Sequence, residues 1–156
     1  MNTKLLVPTD FTDVAHSAIQ HAVKFATIIN AEVVLLHVVS SREEVNKAKQ
    51  KLEAETSIGK SFNSSCSFKT VVRIGNIFDD IGDVASELGI SLIFMGTHGA
   101  QGWQHITGMN ALKVITHSTV PFIIVQDKTP KDDDGYNDIV VPLDLNKETK
   151  QKLAVV

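Results

Sequence analysis

The chain alternates between short, continuously apolar runs and longer segments in which apolar residues return every three or four positions. Residues 4 to 7 (KLLV) and 32 to 39 (EVVLLHVV) carry the first pattern, which suits strands buried on both faces of a parallel sheet. Residues 67 to 73 and 90 to 95 (ISLIFM) read the same way, and VPFIIV at 120 to 125 predicts a fifth strand. Pro121 cannot donate to a ladder, so that strand belongs at a sheet edge, or the proline at its very start. Between the first two runs, Ala15, Ala18, Ile19, Ala22, Ala26 and Ile29 fall on one helical face, completing a βαβ unit.

Residues 42 to 54 are charged around a narrow stripe of Val45, Ala48 and Leu52, which predicts a surface helix. Asn76 with Asp79 forms a candidate capping pair, after which Ile81, Val84, Ala85 and Leu88 make an apolar face closed by Gly89. Ala111, Leu112, Val114 and Ile115 predict a last helix. The alternation predicts an open, doubly wound, five-stranded parallel α/β sheet with helices on both faces, Rossmann-like with strand order 3-2-1-4-5. Ligands of such sheets lie at the carboxyl ends of strands where the order reverses. Two tips therefore matter most: Pro8-Thr9-Asp10 after the first strand and Gly96-Thr97-His98-Gly99 after the fourth.

Composition narrows the partners. At 156 residues, 43% apolar and 21% charged, the chain suits one folded domain. A net charge of -3 without a Lys/Arg block argues against nucleic acid or anionic lipid. The single cysteine, Cys66, excludes an internal disulfide and a cysteine-based zinc site, which fits a reducing compartment and makes the cytoplasm the expected location. The N-terminus turns polar too soon for a signal peptide, and no apolar run approaches the roughly 20 residues a membrane helix needs.

The chemistry concentrates in MGTHGAQGWQHITGMNALKVI, residues 95 to 115. Its glycines let backbone N–H groups turn toward an anion, and a helix opening near Gly108 would add its positive end. The spacing is not GxGxxG, so the dinucleotide fingerprint is absent, and a plain turn is the competing reading. Asp10 could accept hydrogen bonds from a ribose or an adenine amine, or cap the helix starting near Thr12 or Asp13; its position alone does not separate the two. AETSIGKS, residues 54 to 61, ends like a Walker A loop but lacks the first glycine and a preceding strand, so Lys60 reads as a surface residue. His16 and His21, five apart, do not share a helical face, and metal ligation is not expected. His37 reads as a hydrogen-bonded core residue, whereas His98 is placed to touch a phosphate. No G-x-S-x-G elbow or H-E-x-x-H motif occurs, and the chain is not expected to be an enzyme. Slow ATP hydrolysis ranks last, for want of a base.

Residues 127 to 137 (DKTPKDDDGYN) read as a linker, its aspartates solvated rather than calcium-binding. DIVVPLDLNKETKQKLAVV then echoes KLLVPTDFTDVAHSAIQHA: Pro142 answers Pro8, Asp144 answers Asp10, and Leu153 answers Ile19 at a constant offset. The expected organisation is a domain over 1 to 126, a linker over 127 to 137, and the beginning of a second, truncated repeat over 138 to 156. Strand 139 to 143 is expected to dock on another chain or on the fifth strand.

With LLVPTDFT at the start, VVLLHVV in the second run, MGTHG after the fourth and VPFIIV at the fifth, the chain resembles the universal stress protein family over nearly all of residues 3 to 126. The tail resembles the opening of a second copy, as in tandem members. In nucleotide-binding members the loop follows G-x2-G-x9-G-(S/T), and ATP lies between it and the first strand's tip. The resemblance implies that Pro8, Thr9, Asp10 and Val38 meet adenine and ribose, and that Met95, Gly96 and Gly99 line the path of base and phosphate. Gly108 with Met109, Asn110 and Ala111 would hold the phosphates of ATP or another adenine nucleotide, with magnesium as a possible companion. Here only eight residues separate Gly99 from Gly108, and Met109 stands where the family has Ser or Thr. A loop shortened by about 3.5 Å and a lost hydroxyl predict weakened binding. The rival reading is a degenerate copy that binds no nucleotide and serves as a dimerising scaffold through strand 120 to 125; the expected partner is a second copy or a tandem repeat.

Overall fold

A computed structural model of the chain describes residues 3–97 and 118–126. Five strands, β1 (Lys4–Pro8), β2 (Glu32–Val39), β3 (Ser67–Ile74), β4 (Leu92–Thr97) and β5 (Phe122–Gln126), form one sheet. Their order is β3-β2-β1-β4-β5, with every neighbouring pair parallel. The helices are α1 (Asp13–Ile29), α2 (Val45–Phe62) and α3 (Ile77–Leu88), with a 3-10 turn at Arg42–Glu44. The expected fold class and strand order are those observed. The expected helix after Gly108 and everything beyond Gln126, including the linker and the second-repeat strand, lie outside the described residues.

Side chains alternate across the two faces as the strand period requires. Leu5, Val7, Val33, Leu35 and Phe94 pack with Ala18, Ile19 and Ala22 of α1 and Leu52 of α2. Leu6, Val34, Leu36 and Ile93 pack with Ile81, Val84 and Ala85 of α3. A central strand covered on both sides has no polar face, which is why the runs show no hydrophobic alternation. Pro121 sits just before β5, and β5 is an edge strand, in agreement with the missing N–H.

Two local expectations are corrected. The charged helix expected over residues 42 to 54 is a 3-10 turn followed by a helix that runs on to Phe62. Its buried face is Ala48, Leu52, Glu55 and Gly59. The apolar stripe seemed to end because its next two positions carry a carboxylate and a glycine. Gly59 is required there, because a Cβ would collide with the ring of Phe68 on β3. The Walker-like stretch thus lies on a helix, with Lys60 exposed. At α3 the carboxylate accepting the Asn76 N–H is Asp80, at 2.7 Å, rather than Asp79. Arg73 Nε donates to the other oxygen of Asp80 at 3.0 Å, which anchors that carboxylate in place. Gly89 closes the helix as expected, with φ 63° and the Ile90 N–H returning to Ala85 O at 2.9 Å.

His21 is buried on α1, and burial, helped by Lys24, lowers its pKa from 6.5. The folded chain holds this histidine neutral where the unfolded chain would protonate it. Its contribution to stability is therefore present above pH 6.5 and is lost as pH falls from there through the lowered value. Urea unfolding at neutral and mildly acidic pH is expected to show a smaller acid loss in His21→Gln than in the parent; equal losses would exclude His21 as a source.

Candidate functional site

Central strand β1 pairs with β2 at five positions but with β4 only at Leu5↔Leu92 and Leu6↔Ile93. Beyond Leu6 and Ile93 the two strands part, and their tips flank the point where strand order reverses. The β1 tip is tied instead to β2. Thr9 N–H donates to Leu36 O at 2.8 Å, and His37 Nδ1–H donates to Thr9 O at 2.7 Å. A carbonyl only accepts, so that bond fixes the proton on Nδ1. His37 is thus hydrogen-bonded as expected, although half-buried at the strand's end rather than enclosed.

The turn from β1 into α1 is built from side chains. Thr9 Oγ1 accepts from Phe11 N–H at 3.0 Å. Phe11 takes φ 67°, a left-handed conformation unusual for an aromatic residue, with its ring 4.3 Å from that of His37. Asp10 Oδ1 accepts from Thr12 N at 3.2 Å and from Thr12 Oγ1 at 2.6 Å. Thr12 is the actual N-cap of α1, accepting weakly from Ala15 N at 3.4 Å. Asp10 therefore supports the helix start by fixing its cap, and its other oxygen takes no hydrogen bond from the described residues.

The β4 tip is enclosed. Met95 is fully buried, and Gly96 lies against the first turn of α1, where a Cβ would stand 2.6 Å from Val14 O. Pro8 and Thr9 are buried as well, whereas Asp10 and Val38 are half-exposed, Val38 packing toward the α3 face. Of the residues expected to line the site, Asp10 and Val38 stay within reach of solvent, whereas Pro8, Thr9, Met95 and Gly96 are buried. His98, Gly99, Gly108, Met109, Asn110 and Ala111 lie outside the described residues.

One group at this tip escaped the sequence reading. Glu55 of α2 is 3% exposed, and its Oε1 lies 2.6 Å from His16 Nε2 on α1. Burial pushes the Glu55 carboxyl up, and neighbouring Asp10 adds to this; the His16 contact and the Thr9 hydroxyl act the other way. Its Oε2 is buried without a hydrogen-bond partner among the described residues. Lys51, one turn earlier, sets its Nζ 4.7 Å from the centre of the Phe11 ring. A carboxylate three residues after Leu52, on the stripe begun by Ala48, was the available signal. Among the described residues no cluster of three or more His, Cys, Asp or Glu could hold a metal ion, and no helix is long and apolar enough to cross a membrane.

A parallel sheet in this order, with helices on both faces and two tips parted at its reversal, defines a doubly wound, Rossmann-like α/β domain. The model of the universal stress protein family matches residues 1–126, and the chain belongs to that family. It is 28% identical to a universal stress protein of Methanocaldococcus jannaschii, the match covering 82% of this chain and 97% of the relative. Among solved structures it is similar to a universal stress protein from Archaeoglobus fulgidus in complex with dAMP: TM-score 0.65, 20% identity, 80% of this chain and 98% of that one. A universal stress protein in complex with cAMP superposes with TM-score 0.63 at 19% identity, covering 79% of this chain and 95% of that one.

Proposed function

We propose that this chain is a stress-response module whose β1/β4 crevice binds an adenine nucleotide. The carrying observation is the Asp10 carboxylate, half-exposed beside the parted strands, with one oxygen committed to Thr12 and the other taking no hydrogen bond from the described residues. Such an acceptor suits a ribose hydroxyl or the adenine amine. The dAMP and cAMP carried by the two similar structures support adenine as the base. The glycine loop after β4 would supply the phosphate donors, with the shortened spacing and Met109 weakening that grip.

Calorimetric titration of the full chain with ATP, with and without magnesium, is expected to give saturable heat below about 1 mM, equivalent to roughly 4 kcal/mol of binding free energy or more. No heat at millimolar ATP, ADP, AMP and cAMP would defeat the reading. It would favour the rival, a scaffold that pairs with a second copy through β5, for which the observation is an edge strand with Ile124 exposed.

A further inference from the structure

Helix α2 reaches the β1–α1 turn at two points one helical turn apart. Lys51 lies over the ring of Phe11, and Glu55 lies 2.6 Å from His16, whose backbone N–H donates to Thr12 O at 3.0 Å. Residues 9 and 11 flank Asp10 and are themselves joined, Phe11 N–H to Thr9 Oγ1 at 3.0 Å. Asp10 is thus followed by Phe11, which Lys51 covers, and bonded to Thr12, which is tied to the His16 that Glu55 holds.

The physical character of Glu55 sets it apart from ordinary packing. It is 3% exposed, its Oε2 has no hydrogen-bond partner among the described residues, and burial works against its charge. An apolar residue on that stripe would bury without this cost. What a carboxylate adds is direction: a short bond that fixes the first turns of α1 at one distance from α2, where apolar contacts would tolerate sliding. The groups that act on it are His16 of α1 and Asp10 and Thr9 of the turn; Asp13 lies 3.8 Å from the other ring nitrogen of His16, and Lys51 on its own helix lies over Phe11.

From this arrangement we infer that Glu55 is a positioning residue for ligand, acting through His16 and the Thr12 cap to hold the Asp10 carboxylate at the rim of the crevice. Glu55 is itself too buried to touch a ligand. The inference rests on the nucleotide reading above for its ligand, but not for its geometry, and the two can fail separately.

The test compares Glu55→Ala, Glu55→Gln and Leu52→Val in the full chain, Leu52 being a fully buried neighbour on the same face of α2. By ATP calorimetry, Glu55→Ala is expected to weaken binding about fivefold or more, as for a typical coupling between sites. Glu55→Gln, which keeps an acceptor for the His16 N–H, should restore most of the affinity, and Leu52→Val should leave it unchanged. Should Glu55→Ala fail to fold, His16→Ala breaks the same contact from its more exposed side. In ligand-free protein, the NMR signal of the Thr12 amide, which donates to Asp10, should move in Glu55→Ala and stay near its parental position in the other two. Unchanged affinity in Glu55→Ala, or an equal loss in Leu52→Val, would overturn the inference. If the parent binds no ATP, the nucleotide reading falls, and the Thr12 signal alone decides: a stationary signal overturns the positioning role, a moving one sustains it.

Discussion

Gly96→Val is expected to destabilise the fold by about 3 kcal/mol or more, the upper end of the usual cost of overpacking. A Cβ at this position would stand 2.6 Å from Val14 O, 2.9 Å from Val14 C and 3.1 Å from Ala15 N. All three are backbone atoms of the first turn of α1, so no side chain can swing aside. Relief requires lifting the helix start off β4, which would also disturb Thr12 and the Asp10 rim it is tied to. Gly96→Ala should show a smaller loss in the same direction. Urea unfolding followed by circular dichroism measures both, the midpoint falling while the slope stays constant. A Gly96→Ala variant as stable as the parent would mean that helix and strand do not approach so closely.

Asp10→Ala is expected to weaken ATP binding by about tenfold to a hundredfold, the range for losing a hydrogen bond to a charged acceptor. The substitution also releases the Thr12 N–H and hydroxyl, so a loss of stability of about 1 kcal/mol should accompany it, comparable to a damaged N-cap. Asp10→Asn separates the two effects. Its amide oxygen can still accept from Thr12 and preserve the helix start, while the charge offered to ligand is gone. Calorimetry should therefore rank parent, then Asn, then Ala, and thermal unfolding should place Asn close to the parent. Full ATP affinity in Asp10→Ala would remove Asp10 from the binding surface.

Gly96 and Glu55 show where the sequence reading stopped short. Gly96 drew notice as a phosphate-loop glycine, yet its enclosure against Val14 O supplies a packing reason for glycine whatever the ligand. A glycine's neighbours in space are not written in its neighbours along the chain. Glu55 was overlooked because the expected helix stopped at residue 54, one position short of it, and only the seat of α2 against α1 turns it inward. The capping carboxylate of α3 was misread by one residue for a related reason: Arg73, on a neighbouring strand, selects Asp80 over Asp79.

The sequence by itself determined the parallel sheet, its strand order and the existence of the helices at 13–29, 45–62 and 77–88, because burial on both faces and a helical apolar stripe leave periodic traces that local chemistry reads directly. It also marked Asp10, since an acidic residue between a buried strand and a helix start has few roles to fill. Tertiary structure alone decided which oxygen of Asp10 is committed, why Gly96 must lack a side chain, and that Glu55 faces inward against His16. Each of these depends on the distance between elements far apart in the chain, and that distance is set by the packing of whole helices on the sheet rather than by any stretch of residues.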